Sequence, residues 1–317
     1  MYDLIIIGGG PAGMSAAVYA ARFRMKALIL TSHLGGYMME CPSIENYPGF
    51  KSINGMDLTN NMKEQIKELG VETIEEEVVE IKKPSNESEK GLENAGDFPK
   101  EKTFKVKTKS NTLFEGKSII IALGTKRRKL EIKGEDEFLG KGVSYCATCD
   151  GAFFRDKIVA VVGGANSAAV SAIQLSEFAK EVNIIYRKDK LRADPYWVKK
   201  IEDKKNIKTH YNLNITEIRG DPMVNSISLD NGKEMKVDGI FIEIGSVPAT
   251  SLAKSLKVKL AKDGCIIVDN TQKTNIDGIY AAGDITTGSN NMRQIITACA
   301  EGAVAAESCY HYSRKED

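Results

Sequence analysis

The segment Leu4-Ile5-Ile6-Ile7-Gly8-Gly9-Gly10-Pro11-Ala12-Gly13 decides the fold. Its four consecutive apolar residues are typical of a strand that is buried on both faces of a parallel sheet. The alanine-rich stretch from Met14 to Arg24 predicts a helix, and Ala27 to Leu30 predicts the next strand. A strand, a turn with G-x-G-x-x-G spacing and a helix make up the βαβ unit that binds the pyrophosphate of a dinucleotide. The chain is therefore predicted to begin with a dinucleotide-binding domain.

Each glycine of this first turn has its own predicted task. Gly8 allows a tight turn, Gly10 lets a pyrophosphate approach the backbone, and Gly13 lets the helix pack closely on the strand. A plain strand-to-helix turn is the alternative. NAD is disfavoured here because Thr31 stands where an acid would bind its ribose. The polar and aromatic loop 45–50 fits a flavin or a simple surface loop equally well.

The plan repeats later in the chain. Residues 158–162 predict a strand, 163–168 a second glycine turn, 169–180 a helix and 182–185 a strand. Ala165 replaces the middle glycine, and its methyl group would push a pyrophosphate away from the backbone. Basic residues follow the second strand, where an NAD site would have an acid: Arg187, Lys188 and Arg192. They suit the 2′-phosphate of NADPH, with a solvated run of charges as the alternative.

Between the two turns lies the motif Cys146-Ala147-Thr148-Cys149-Asp150. Two cysteines at this spacing can close a disulfide ring, and the adjacent acid can supply a proton when the ring opens. Half of a zinc site is the alternative, but zinc needs four ligands. No second close pair exists among the other cysteines, which are Cys41, Cys265, Cys299 and Cys309. The motif therefore favours redox chemistry.

Composition limits the classes of function. A chain of 317 residues is long enough for two domains, and 44 basic against 43 acidic residues give no argument for nucleic acid or an anionic membrane. Six cysteines are too few for a secreted disulfide scaffold, and the start of the chain does not resemble a leader peptide. No apolar run approaches the roughly 20 residues that span a bilayer. We expect a cytoplasmic protein.

Further elements complete the predicted order. A helix is expected over 57–70, a strand over 71–82, strands over 103–109 and 118–123, and antiparallel strands over 206–237. The polar segment from Pro84 to Lys102 is predicted to be an exposed, mobile insertion. Asp284 follows a buried strand and can accept hydrogen bonds from a ribityl chain. A long helix begins at 293, with its positive end toward the pyrimidine side of a flavin.

Taken together, the two turns, the Cys146–Asp150 motif and Gly283-Asp284 resemble the low-molecular-weight thioredoxin reductases over essentially the whole chain. The resemblance implies an α/β fold with two Rossmann-like, three-layer β/β/α nucleotide-binding domains, the second inserted in the first. Residues 1–124 and 246–317 would bind FAD, and residues 125–245 would bind the pyridine nucleotide and carry the cysteines. Hinges are expected near Thr125 and Gly245, because rotation of one domain must alternate nicotinamide and cysteines at the flavin.

Residue roles follow from the same resemblance. FAD would be held by Gly8, Gly10, Pro11, Ala12, Gly13, Gly36, Asn46, Gly283, Asp284, Arg293, Gln294 and Ile295. NADPH would be held by Gly163, Gly164, Asn166, Ser167, Ala168, Arg187, Lys188 and Arg192. Cys149 would lie nearest the flavin, Cys146 would attack the disulfide of thioredoxin or a similar dithiol protein, and Asp150 would protonate the leaving thiolate. A homodimer is also implied.

Some positions depart from the family pattern: Ala152, Ala165, Val170, Ser171 and Tyr186. The second turn is therefore weakened, and NADH or a ferredoxin-like protein is an alternative donor. Two other interpretations remain open, a ferredoxin or flavodoxin oxidoreductase and a redox-sensing flavoprotein without catalysis. The cysteine pair counts against the first, since such relatives lack it. The remaining four cysteines are expected to be buried apolar residues.

Overall fold

The computed structural model describes residues 1–41, 44–84 and 103–314. They divide into two compact units, one formed by Met1–Thr125 with Pro248–Asp317 and the other by Lys126–Val247. The second unit is thus inserted in the first. The predicted insertion lies outside the described residues from residue 85 onward. Within the described ranges, no helix is long and apolar enough to cross a membrane.

The first unit is built on a seven-stranded sheet. Its parallel part has the order β3-β2-β1-β6, and β6 pairs with antiparallel β5 near its start and with parallel β17 near its end. The strands are β1 Tyr2–Gly9, β2 Ala27–Leu34, β3 Glu72–Ile74, β4 Val78–Lys82, β5 Phe104–Thr108, β6 Leu113–Ile121 and β17 Ile279–Ala281. The helices are α1 Pro11–Arg22, α2 Gly55–Glu68, α6 Ser251–Ser255 and α7 Ile295–Arg314.

Both faces of this sheet are covered, which explains the continuous apolar run in β1. Leu4 and Ile6 join one core with α1 and α7, whereas Ile5 and Ile7 join a second core with the β4–β5 hairpin and α6. Small residues let α7 lie close to α1. A Cβ atom on Gly302 of α7 would stand 2.1 Å from the carbonyl oxygen of Ala12.

The second unit repeats this plan on a smaller scale. Its parallel sheet has the order β11-β10-β9-β15-β8, with helices on one face and a three-stranded antiparallel sheet on the other. The parallel strands are β8 Val143–Ser144, β9 Ile158–Val162, β10 Glu181–Tyr186, β11 Ile207–Tyr211 and β15 Gly239–Ile242. The others are β12 Ile215–Gly220, β13 Val224–Leu229 and β14 Glu234–Lys236, and the helices are α3 Ala147–Asp150, α4 Asn166–Ser176 and α5 Pro195–Glu202. The chain passes between the units at β7 Thr125–Arg127 and β16 Ser246–Pro248.

Two predicted elements differ in the structure. The prediction of antiparallel strands from residue 206 is wrong for β11, which pairs in parallel with β10, Val182 opposite Ile207. Helix α5, which begins at Pro195, supplies the crossover that parallel pairing requires, and the sequence reading did not include it. The predicted strand over 71–82 is two strands, because β3 joins the parallel sheet and β4 forms a hairpin with β5.

Candidate active site and nucleotide turns

Cys146 and Cys149 form a disulfide, with their Cα atoms 5.3 Å apart. The pair lies between β8 and β9, and Cys149 is the second-to-last residue of the short helix α3, directly before Asp150. Cys149 is exposed and Cys146 is half-buried. In the ranges that the structure describes, no cluster of three or more His, Cys, Asp or Glu side chains could hold a metal. The arrangement is that of a dithiol–disulfide couple.

Ser144 connects the acid of the motif to the cysteines. Its hydroxyl donates to Oδ2 of Asp150 at 2.6 Å and accepts from the backbone N–H of Cys146 at 3.0 Å. Ser144 is buried at the end of β8, so this geometry is fixed by the sheet. Ser144 was not among the residues predicted from the sequence, although its position two residues before Cys146 was a usable signal.

The first glycine turn leaves room for a ligand at one point only. A Cβ on Gly8 would lie 2.3 Å from the carbonyl oxygen of Ala122, and one on Gly13 would lie 1.9 Å from that of Gly8. Gly10, by contrast, has nothing within 4 Å of its Cβ position. It caps α1 without a side-chain bond, so the first N–H groups of that helix are available to an anion. This cradle fits the pyrophosphate of a dinucleotide.

A second part of the first unit presents a partly buried acid. Asp284 follows β17, and burial raises the pKa of its carboxyl, with the nearby Glu301 raising it further and Arg293 opposing both. Glu301 of α7 accepts from the N–H of Gly283 and the hydroxyl of Thr286, each at 2.8 Å. Glu301 therefore holds the turn that carries Asp284. Sequence reasoning missed Glu301, which lies 18 residues away from Gly283.

Other residues expected to hold FAD make contacts within the first unit. The Cβ position of Gly36 lies 3.4 Å from Cα of Gly10, and Nδ2 of Asn46 donates to Oε1 of Gln294 at 2.9 Å. Arg293 donates from Nη2 to Sγ of Cys265 at 3.2 Å. Its Nε is buried and has no partner among the described residues. A buried donor without an acceptor is costly, so this atom fits a bound acceptor group.

The second glycine turn is more crowded. The ring of Tyr186 fills the space beside Gly164, 2.5 Å from its Cβ position, and Arg192 donates from Nε to the Tyr186 hydroxyl at 3.1 Å. Asn166, the first residue of α4, donates from Nδ2 to Asp194 at 2.8 Å and accepts from the Asp194 N–H at 2.7 Å. Arg187 and Lys188 are exposed just after β10. Ser167 and Ala168 continue the first turn of α4.

Glu243 is a largely buried acid that was not among the residues predicted from the sequence. It follows β15, and burial raises the pKa of its carboxyl against the opposing effects of Ser171, Arg127 and Ser167. Its Oε1 accepts from the Ser171 hydroxyl at 2.7 Å, and its Oε2 lies 3.9 Å from Nη1 of Arg127. The signal was a single acid inside the apolar run from Ile240 to Ile244.

Comparison with known proteins decides the family. The sequence matches the pyridine nucleotide-disulphide oxidoreductase family over residues 2–302. The chain belongs to this family. A thioredoxin reductase of Listeria innocua is 38% identical over 319 residues, which cover 98% of this chain and 94% of the relative.

Solved structures of family members agree with this assignment. A thioredoxin reductase from Lactococcus lactis is 39% identical with a TM-score of 0.89, covering 99% of this chain and 100% of its own. One from T. acidophilum is 38% identical with a TM-score of 0.86, covering 98% of both chains. They confirm the fold class, an α/β protein of two Rossmann-like domains. The Cys146–Cys149 disulfide fits the redox-active pair of the family.

Proposed function

We propose that this chain is a thioredoxin-disulfide reductase that binds FAD in its first unit and accepts electrons from NADPH at its second. The main support for this function is the Cys146–Cys149 disulfide, which lies just before β9 and the second glycine turn. Relatives named thioredoxin reductase match nearly the whole chain, which supports the same conclusion. Bound FAD would supply two-electron transfer between the nucleotide and the disulfide.

The first unit offers the groups that FAD needs. Its pyrophosphate would meet the turn of Gly8, Gly10, Pro11, Ala12 and Gly13. Asp284, presented by Gly283, would accept from hydroxyl groups, and the buried Nε of Arg293 would donate to an acceptor. Gly36, Asn46, Gln294 and Ile295 would complete the site, because Gly36 adjoins the turn and Asn46 is bonded to Gln294.

The dithiol would reduce its partner by two exchange steps. The Cys146 thiolate attacks one sulfur of the thioredoxin disulfide, that bond breaks, and the leaving thiolate takes a proton from Asp150. Cys149 then attacks Cys146, which re-forms the Cys146–Cys149 bond and releases thioredoxin with both sulfurs reduced. Cys146 is half-buried and Cys149 is exposed, and Ser144 holds Asp150 next to the pair by its 2.6 Å hydrogen bond.

The donor assignment rests on charge after β10. Arg187 and Lys188 are exposed there and Arg192 lies nearby, and such groups recognise a 2′-phosphate. Gly163, Gly164, Asn166, Ser167 and Ala168 would receive the pyrophosphate. A second candidate, a reductase supplied by NADH or a ferredoxin-like protein, is favoured by Ala165 and by the carboxylates of Glu243 and Asp194 near the start of α4.

The same proposal includes the partner protein, the oligomeric state and the cellular compartment. The partner would be thioredoxin or a thioredoxin-like dithiol protein, the enzyme a homodimer, and the compartment the cytoplasm, in which glutathione and thioredoxin systems keep dithiols reduced. The domain assignment and the hinges near Thr125 and Gly245 are also part of it.

Steady-state reduction of thioredoxin by NADPH tests the proposal. Wild type and Cys41→Ser should turn over alike, whereas Cys149→Ser should bind FAD yet lose thioredoxin reduction. Cys41 is a matched control because it is a half-buried cysteine outside the disulfide. Turnover by Cys149→Ser at the wild-type rate would contradict the relay. Absence of turnover in the wild type with every donor would favour a redox sensor.

A further inference from the structure

The start of helix α4 is the part of the second unit best suited to an anion. The helix begins at Asn166, directly after the glycine turn, and its N-cap Ala165 contributes no side-chain bond. Its first N–H groups are therefore unpaired by side chains, and the helix dipole makes this end positive. In a dinucleotide-binding turn, this is the place to which the pyrophosphate binds.

In this chain a carboxylate of the protein already lies at that helix end. Glu243 accepts from the hydroxyl of Ser171 at 2.7 Å, and against the effect of burial, which raises the pKa of its carboxyl, the nearby Ser167 also lowers that pKa. Ser167 and Ser171 are four residues apart, so they line one face of the first turns of α4. The backbone of Glu243 adjoins the turn as well, since its carbonyl oxygen lies 2.2 Å from the Cβ position of Gly163.

The charge of Glu243 is only partly compensated. Its side chain is 10% exposed, so water screens it poorly, and the Arg127 guanidinium stands 3.9 Å away, beyond hydrogen-bond distance. A second carboxylate, that of Asp194, is held at the same helix end by Asn166. A ligand anion arriving there meets negative charge.

We propose that Glu243 is a specificity-determining residue, whose carboxylate lies beside the first turns of α4 and weakens the binding of pyridine dinucleotides by repelling their pyrophosphate. The inference deepens the proposed reductase function and rests on it. Like charges placed together in a binding site disfavour the ligand that brings the second charge. The same carboxylate would leave a protein electron donor, which needs no pyrophosphate site, unaffected.

Calorimetric titration of NADP⁺ into the oxidised, FAD-bound protein tests the inference without turnover. The variants are Glu243→Gln, which keeps a hydrogen-bonding group for the serines, and Glu243→Ala. The control is Glu177→Ala, which removes the same charge from the opposite end of α4, where Glu177 is exposed and paired with Lys204. We expect Kd to fall about tenfold in both Glu243 variants and to stay unchanged in the control, because removing one like charge at close range is worth about 1.4 kcal/mol.

Three results would overturn the inference. The first is an unchanged Kd in the Glu243 variants. The second is a higher Kd in these variants, which is expected if Glu243 binds the nucleotide. The third is no measurable binding of NADP⁺ by any variant. The proposed function is judged separately, by mixing each dithionite-reduced protein with oxidised thioredoxin. Failure of that exchange in the wild type would count against the reductase, whatever NADP⁺ does.

Discussion

Asp284, which we propose binds FAD, is expected to lower the stability of the ligand-free fold. Because burial raises its pKa, the folded chain holds this proton more tightly than the unfolded chain. The stability of the ligand-free protein therefore rises as pH falls through the raised pKa, and the ionised carboxylate is unfavourable at higher pH. The compensation would come from a ligand that donates hydrogen bonds to it.

Asp284→Asn is expected to separate these two effects. Without FAD, the variant should be more stable than wild type at neutral pH, and its stability should depend less on pH than that of wild type. Its affinity for FAD should fall about tenfold to a hundredfold, since a hydrogen bond to a charged group contributes about 1.5–3 kcal/mol. Thermal melts and FAD titrations measure both, with the exposed Asp277→Asn as control. Unchanged FAD affinity would remove Asp284 from the site.

Glu301 is expected to act on FAD through the turn that it holds. Glu301→Ala leaves the N–H of Gly283 and the hydroxyl of Thr286 without their acceptor, which should weaken FAD binding and cost about 1–3 kcal/mol of stability. Glu301→Gln keeps one acceptor oxygen, so its FAD affinity and stability should lie between those of wild type and Glu301→Ala. FAD titration of both variants checks this order, and equal affinity of Glu301→Ala and wild type would contradict it.

Ser144 is expected to be a positioning residue for Asp150. In Ser144→Ala the 2.6 Å bond to Asp150 is lost, so the reduced protein should exchange with thioredoxin about tenfold more slowly and with an altered pH profile. FAD binding and flavin reduction should not change. The control is Ser228→Ala in β13. If the exchange rate and pH profile both match wild type, Ser144 has no part in the proton transfer.

At the scale of elements, the close packing of α7 on α1 is the feature most sensitive to substitution. Alanine normally stabilises a helix relative to glycine, by about 1 kcal/mol. Gly302→Ala should do the opposite and lower stability by about 1–3 kcal/mol, because its methyl group would meet the Ala12 carbonyl oxygen at 2.1 Å. A thermal melt checks the sign, with the exposed Glu307→Ala as control. A higher melting temperature for Gly302→Ala would show that the helices can move apart.

Elements that depend on local pattern could be predicted from the sequence. The run from Leu4 to Gly13 contains its own strand, turn and helix start, so β1 and α1 lie where expected within a few residues. The parallel pairing of β11 could not be found in this way, because it depends on a neighbour strand and on α5. Ser171 and Glu243 are 72 residues apart, and no periodicity relates them. Only the sheet brings them together.

At the scale of the whole molecule, the division of the redox and nucleotide sites between the two units limits how electrons can move. The disulfide and the second glycine turn belong to one compact unit, whereas the residues expected to hold FAD belong to the other. The predicted rotation about Thr125 and Gly245 would let each reach the flavin in turn.

Donor choice is therefore best measured on the intact FAD-bound protein. Anaerobic stopped-flow mixing should show NADPH bleaching the flavin faster than NADH, because the exposed Arg187 and Lys188 would favour the 2′-phosphate. Arg187→Ala should reduce this preference, with Arg155→Ala as the control. Bleaching by reduced ferredoxin alone would show that the NADPH assignment is wrong.

The central claim is that the Cys146–Cys149 pair carries electrons from the flavin to another protein. The most direct measurement is a single turnover in which dithionite-reduced protein, freed of excess reductant, is mixed anaerobically with oxidised thioredoxin while flavin absorbance and thioredoxin thiols are followed. We predict that wild type regains flavin absorbance as thioredoxin gains a pair of thiols, and that the double variant Cys146→Ser with Cys149→Ser does neither. Equal transfer by the double variant, or a protein that remains colourless with FAD, would contradict the account.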